Sequence, residues 1–285
     1  MMTGKTKTIR IHRISVALDC SPHSRASLVA AAEIAELLHA ELLGIFVEDI
    51  NLIRMAELPF CQEIHLHTAR SEPLDTLKLE RLLRLQAKEA YNIFRETALR
   101  FGVPYTFRTL RGPVTSEVLT AALESDLLAL GRSGRTPVCR KGLGSTAKKA
   151  VEEARPHILL AHSDVKPDGP ILVLYDGSRG SKRALETACS IASAKNTLHI
   201  FLIANTESAA SRLREETASI IGDRKKKTEL HVLPWTDSAM LAQCIHMTGP
   251  GLVVLSDSSE AISPESVYRL IDATNYPVLL VKGTA

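Results

Sequence analysis

Leu130-Gly131-Arg132-Ser133-Gly134, followed by Arg135 to Leu143 and then Gly144-Ser145-Thr146, is the stretch on which the chain is organised. Before it runs Asp126-Leu127-Leu128-Ala129-Leu130, an apolar segment of strand length, and after it Ala147 to Ala154 reads as a short helix stopped ahead of Pro156. Strand, glycine loop and helix N-terminus together let backbone N–H groups converge on an anion that the helix dipole also favours. Glycines suit such a loop because the backbone approaches the ligand without a Cβ. Leu127 to Val151 contains Arg132, Arg135, Arg140, Lys141, Lys148 and Lys149 and no Asp or Glu. The stretch reads as a phosphate site; a glycine-rich connection that merely turns the chain is the bland alternative.

The loop is not a Walker A motif, since G-x-x-x-x-G-K-[ST] is missing from the chain. Gly142-x-Gly144-x-x-Ala147 imitates a dinucleotide fingerprint but sits within the loop, away from the strand end where that motif works. The spacing that fits is G-x2-G-x9-G-[ST], met by Gly131, Gly134, Gly144 and Ser145. On that motif the chain resembles the universal stress protein family, and the resemblance extends over nearly its whole length as two tandem domains.

The tandem reading rests on an internal repeat. Arg13–Leu18 ends at Asp19 and Ile171–Tyr175 ends at Asp176, 157 positions on; the same offset matches Ser24 with Ser181, Leu28 with Leu185 and Ile34-Ala35 with Ile191-Ala192. Ser21 is placed as an N-cap with Pro22 at the first helical position, and Leu28, Ala31, Ala35 and Leu38 share one helical face. Further strands are expected at 41–47, 104–110, 126–130 and 157–162 in the first half, and at 198–203, 229–233, 252–255 and 278–281 in the second. Helices between them at 76–101, 114–124, 207–221, 237–247 and 264–274 make an α/β protein of two tandem, doubly wound, parallel five-stranded sheets, Rossmann-like, with ligands at the carboxyl ends of the strands. The domains are expected at 1–163 and 168–285, divided by the polar Ser163–Gly169.

Composition narrows the class. The 285 residues are 45% hydrophobic, 24% charged and only 4% aromatic, as in a globular protein whose core is built from Leu, Ile, Val and Ala. A net charge of +3 gives no argument for nucleic acid, and Asp223-Arg224-Lys225-Lys226-Lys227 is most simply a solvated helix end, without interleaved aromatics. No stretch approaches the roughly 20 apolar residues of a membrane span, and Met1 to Arg10 has no secretory apolar region. Five scattered cysteines without a C-x-x-C pair suit free thiols and a cytoplasmic protein. Cys139, within the loop, is read as an ordinary thiol.

What the resemblance implies is more specific. In the family the Asp ending the first strand contacts adenosine, which falls on Asp19, and backbone near the end of the second strand lies against adenine, which falls on Val47. Leu130 leads into the glycines; Gly131 and Gly134 then run along the phosphates, with Gly144, Ser145 and Thr146 closing over them and Arg135, Arg140 and Lys141 near the distal phosphates. The cofactor implied is ATP or a related adenine nucleotide, with Mg²⁺ accompanying it, in a stress-response regulator. Family members commonly pair through the last strand of each domain, so the two halves are expected to pair internally, with a homodimer as a further arrangement. A slow ATPase or an adenylate-forming transferase is the enzymatic alternative, for which His23 is the nearest base and no catalytic or metal residue is assigned.

The second half departs from the motif. Ser256 and Ser259 stand at the first two glycine positions and, anchoring Pro156 on Pro277, Glu265 at the third and Ser266 at that of Ser145. Asp257, Glu260, Glu265 and Asp272 face one base, Arg269. It is read as a non-binding partner, since carboxylates repel phosphate. Residues 48–75 have no counterpart there, contain His65 and His67 in an alternating run, and are expected to cover the nucleotide or an intersubunit surface. Those two histidines share a strand face as metal ligands do, but two ligands do not make a site, and a half-exposed edge pair is the plainer reading.

Overall fold

The computed structural model describes residues 10–65, 70–134, 142–161, 169–193, 195–222, 227–234, 238–249, 251–274 and 276–283. The first half runs β1 (Arg13–Leu18), α1 (Pro22–Leu38), β2 (Glu41–Asp49), α2 (Ile50–Ala56), β3 (Gln62–His65), β4 (Arg70–Pro73), α3 (Thr76–Arg100), β5 (Tyr105–Gly112), α4 (Val114–Ala122), β6 (Leu127–Gly131), α5 (Ser145–Glu153) and β7 (His157–Ala161). The second repeats the plan as β8 (Ile171–Tyr175), α6 (Arg179–Ile191), β9 (Leu198–Ile203), α7 (Glu207–Ile221), β10 (Thr228–Leu233), α8 (Ser238–Met247), β11 (Leu252–Ser256), α9 (Pro264–Ala273) and β12 (Val278–Val281).

The repeat is visible in how the first helix of each half starts. Ser21 Oγ accepts the Ser24 N–H, with Pro22 at the first helical position, and Ser178 Oγ accepts the Ser181 N–H in the same way. Small residues then let α1 lie close on the sheet: Ala31, Ala32 and Ala35 are fully buried with Leu28. The helix stops at His39, whose φ of 54° turns the chain out and whose N–H returns to the Ala35 and Glu36 carbonyls.

Each half orders its parallel strands alike, β5-β2-β1-β6-β7 and β10-β9-β8-β11-β12. The two sheets are joined edge to edge: β7 pairs with β12 antiparallel, Leu159 opposite Leu279, giving one ten-stranded sheet. The internal pairing implied by the resemblance is therefore what the chain adopts. Leu159 and Leu279 are fully buried, each contributing about 2 kcal/mol of transfer free energy. Helices cover both faces, and each of the two apolar layers continues from one half into the other.

Polar ties cross the seam in both directions. The Arg132 guanidinium, 5% exposed, donates to the Thr274 carbonyl and to the Asp272 carbonyl (2.7 Å), with the Asp272 carboxylate at 3.4 Å. From the other side, the Lys282 N–H donates to His157 Nδ1 (3.0 Å) and Lys282 Nζ to the Val151 carbonyl (2.5 Å). The expected Ser163–Gly169 connection lies, apart from Gly169, outside the described residues.

Residues 48–75 hold more structure than the pattern indicates. Asp49 caps the short α2 through the Asn51 N–H (2.9 Å), and β3 and β4 pair antiparallel apart from the main sheet. His65 falls in β3, whereas His67 and the side chain of His65 lie outside the described part.

Candidate functional site

Both halves change direction at the same place, where the chain goes from the first strand to the second on one side and later adds its fourth on the other. Crevices form there, beyond the carboxyl ends of the strands. In the first half this is a cavity of about 330 Å³ over the ends of β1, β2 and β6 and the N-terminus of α5. Asp19, Val47, Leu130, Gly131, Gly134, Gly144, Ser145 and Thr146 all line it. Of the residues named in advance, Arg135 lies outside the described part, as do Cys139, Arg140 and Lys141.

The backbone explains several of these positions. The Glu41 N–H bonds the His12 carbonyl and the Leu42 N–H bonds the Pro104 carbonyl, so odd-numbered residues of β2 present their backbone to β1 and even ones to β5. β1 ends at Leu18, opposite Phe46. The Val47 carbonyl therefore looks into the space beyond the end of β1. Asp19 sits on the same rim; its Oδ1 accepts the Ser21 N–H (2.9 Å), and its Oδ2 is directed towards Gly134, where a Cβ would lie 3.2 Å away. Gly144 is the N-cap of α5 and has no side chain to satisfy the first-turn N–H groups. Thr146 is held by its hydroxyl contact with Thr115 at 3.0 Å, while Ser145 is exposed.

The remaining wall is apolar. Ile45, Phe46, Val114 and Val118 come from the sheet and α4, and Leu52 of α2 with Leu83 and Gln86 of α3 complete the lining. The 48–75 segment thus contributes Leu52 to the cavity wall. Asp19 is the only carboxylate among the described lining residues. His23 is tied to the loop: its Nδ1 accepts from the Ser133 hydroxyl (2.6 Å) and the Ser133 N–H (3.2 Å), which leaves the ring proton on Nε2.

Two of the basic residues of this stretch have other partners. Arg132 is the buried tie to the second half described above, where burial lowers its pKa against the opposing pull of Asp272. Lys149 is occupied by Glu153 one turn on. Gly131 lines the cavity, yet its lack of a side chain serves packing: a Cβ there would stand 2.9 Å from the His23 backbone carbon and the Ser24 nitrogen. The second half meets the same close approach from the other side. It has Ser256 at the strand end and Gly180 at the helix start, where a Cβ would lie 2.6 Å from the Ser258 carbonyl oxygen. One glycine is needed at this crossing, and the halves place it on opposite partners.

The matching crevice of the second half is filled. About 10 Å³ remains between Leu174, Asp176, Ser259 and Leu270, no more than one water molecule occupies. Asp176 Oδ2 accepts from the Ser259 hydroxyl (2.6 Å) and from the N–H groups of Glu260 and Ala261 (both 2.9 Å); Oδ1 accepts from the Ser178 N–H (3.0 Å) and hydroxyl (2.5 Å). Burial pushes this carboxyl up, but the Ala261 N–H and the Ser178, Ser181 and Ser259 hydroxyls overcome it and hold it well below the usual carboxylate range. The loop amides thus bind a carboxylate of the chain itself. α9 is capped as well, by Ser263 Oγ on the Ser266 N–H, with Pro264 at its first position. Glu265 lies inside the first turn, so the counterpart of Gly144 is Ser263. Anchoring on Pro277 misplaces it by two residues, because α9 is one residue longer than α5 and the connection from its end to the proline is one residue longer as well.

No protein-family model and no curated protein matches the sequence. Solved structures do match over nearly the full length. The crystal structure of a universal stress protein from Archaeoglobus fulgidus DSM 4304 superposes with a TM-score of 0.71 at 17% identity, covering 96% of this chain and 99% of that one. This is the universal stress protein fold. A functionally unknown protein from Pseudomonas aeruginosa PAO1 shares it, with a TM-score of 0.60 at 17% identity over 96% of this chain and 93% of that one. Its mostly parallel sheet with helices on both faces is the α/β architecture expected from the repeat. Among the described residues no helix of this universal stress protein fold is long and apolar enough to cross a membrane.

Proposed function

We propose that the chain is a nucleotide-binding regulator of the stress-response type, holding one adenine nucleotide, ATP or a close relative, in the first-half cavity. The observation that carries this is the contrast between an open crevice ending on the uncapped N-terminus of α5 and its filled copy. A volume of about 330 Å³ falls at the small end of the ligand-site range of roughly 300–1,000 Å³. In this reading Asp19 accepts from ribose or the adenine amine, and the Val47 carbonyl accepts from adenine. The phosphates lie between Gly134 and the first-turn N–H groups of Ser145 and Thr146. Asp19 and the two hydroxyls are oxygen donors of the kind a nucleotide-borne Mg²⁺ takes.

Binding is favoured over turnover by the chemistry of the wall. Hydrolysis needs a group that positions water at the terminal phosphate, and the candidate base His23 already uses Nδ1 on Ser133. Calorimetric titration of the intact chain with ATP is expected to give a micromolar Kd. Gly134→Glu sets a second carboxylate beside Asp19 where phosphate would lie, and should weaken binding by a hundredfold or more with an unchanged circular dichroism spectrum. Unaltered affinity in that folded variant would remove the assignment.

A further inference from the structure

The second half, which has no open crevice, carries a different polar cluster at its outer edge. His199 on β9 stands opposite Glu229 on β10 in the parallel register, and His231 follows two residues later on the same face as Glu229. That face is the one from which Phe201 and Ile203 enter the core under α8, whereas Leu198, Ile200 and Leu202 enter the opposite layer. His199 Nδ1 is 3.1 Å from His231 Nε2 and 3.5 Å from Glu229 Oε2. Among the described residues this is the one group of three His, Cys, Asp or Glu side chains whose ligand atoms converge in this way.

We propose that His199, Glu229 and His231 bind a divalent transition-metal ion of the Zn²⁺ class. Bonds of about 2.0–2.1 Å in a tetrahedral arrangement separate ligand atoms by about 3.3 Å, close to both distances in the cluster. Two imidazoles and one carboxylate suit Zn²⁺, Co²⁺ or Ni²⁺ and not the all-oxygen shells of Mg²⁺ and Ca²⁺. The two imidazole rings lie within 15° of parallel, joined by an N–H···N hydrogen bond; the ion takes the place of that proton once the bonded nitrogen passes its own to the far side of the ring.

The surroundings favour the metal-binding form. His231 is stacked on the buried Phe201 with ring centroids 5.0 Å apart, which limits its rotation. The His199 side chain is only 12% exposed, so its position beside Glu229 is fixed by packing as well. Lys227 lies 3.6 Å from the other Glu229 oxygen, at the solvent side, where it is free to leave. The corresponding places in the first half are Leu43, Thr106 and Arg108, so the cluster is not part of the repeat. The ion would clip the edge strand β10 to β9 from a position remote from the nucleotide cavity.

Zn²⁺ titrated calorimetrically into the intact, chelator-treated chain is expected to bind with one tight equivalent and to raise the unfolding temperature. Co²⁺ should give visible bands of tetrahedral intensity. His199→Gln and His231→Gln, each checked for folding by circular dichroism, should weaken that equivalent by roughly tenfold or more and remove the bands. Absence of saturable binding, or an equivalent that persists unchanged in the folded double variant, would overturn the proposal.

Discussion

The two crevices of this molecule begin from the same plan and end in opposite states. Each has an aspartate at the end of its first strand and a helix N-terminus facing it. In the first half Asp19 borders about 330 Å³ of space, and α5 starts at a glycine. In the second, Asp176 turns into the crevice and takes up the loop amides, Ser263 caps α9, and about 10 Å³ is left. The lesson is that closing such a crevice takes more than replacing glycines. The amides and dipole that would bind an anion must be satisfied in another way, and the second half does so with its own carboxylate and cap.

The largest effect is expected where the two halves meet. Burial, then the Arg183 charge, pushes His157 down to about 4 from an ordinary 6.5, and its Nδ1 accepts the Lys282 N–H. The unfolded chain therefore takes up this proton first. Stability is complete above about pH 6.5 and falls as the pH drops towards 4, by about 3 kcal/mol at the lower limit. Denaturant unfolding across that window should show the loss, and His157→Gln should flatten it; an equally steep curve in the variant would separate the seam from the effect. Asp176, held below the usual range, adds a further loss in stronger acid as it is protonated.

The aspartates should then respond in opposite ways. Asp176→Ala strands the Glu260 and Ala261 amides and should cost about 2 kcal/mol of stability while leaving nucleotide affinity within twofold. Asp19→Ala should weaken the nucleotide by about tenfold with a smaller change in stability. Denaturant melts and titrations on the same samples compare the two directly, and equal sensitivity to both changes would contradict the contrast.

A smaller effect tests the exchange of glycines. Gly131→Ser should destabilise by about 1–2 kcal/mol, because its Cβ meets the His23–Ser24 backbone. Adding His23→Gly, which reproduces the Ser256–Gly180 arrangement and removes the His23 Cβ that also stands 2.9 Å from the new Cβ, should recover part of the loss in denaturant melts. Simple additivity of the two losses would show that the crossing is not the source of the strain.

Much of the fold was legible because repeated local signals agree. Ser21-Pro22 and the Asp19–Asp176 offset mark the start of each half, and all eight strands and helices given bounds in the second half lie within one residue of expectation. α2 was missed because its seven residues, inside the 48–75 segment, carry too little periodicity. At the site, Gly134 and Gly144 came from the spacing and Asp19 from the family resemblance, and all three line the cavity. The direction of a side chain was not legible: Arg132 counts as a charge in the sequence, yet its guanidinium ends among carbonyls of α9. The packing need for Gly131 shows only once its neighbour across the crossing is seen. His199 and Glu229 lie thirty positions apart and become neighbours only through the β9–β10 register.

The count of nucleotides per chain tests the contrast most directly. Two first-strand aspartates and two helix N-termini would suggest two sites if the motif were counted by halves. The account predicts that titration of the intact chain with ATP saturates at one equivalent, and that Gly134→Glu removes it without exposing another. Saturation at two equivalents, or one equivalent that survives Gly134→Glu and is lost in Asp176→Ala, would contradict it.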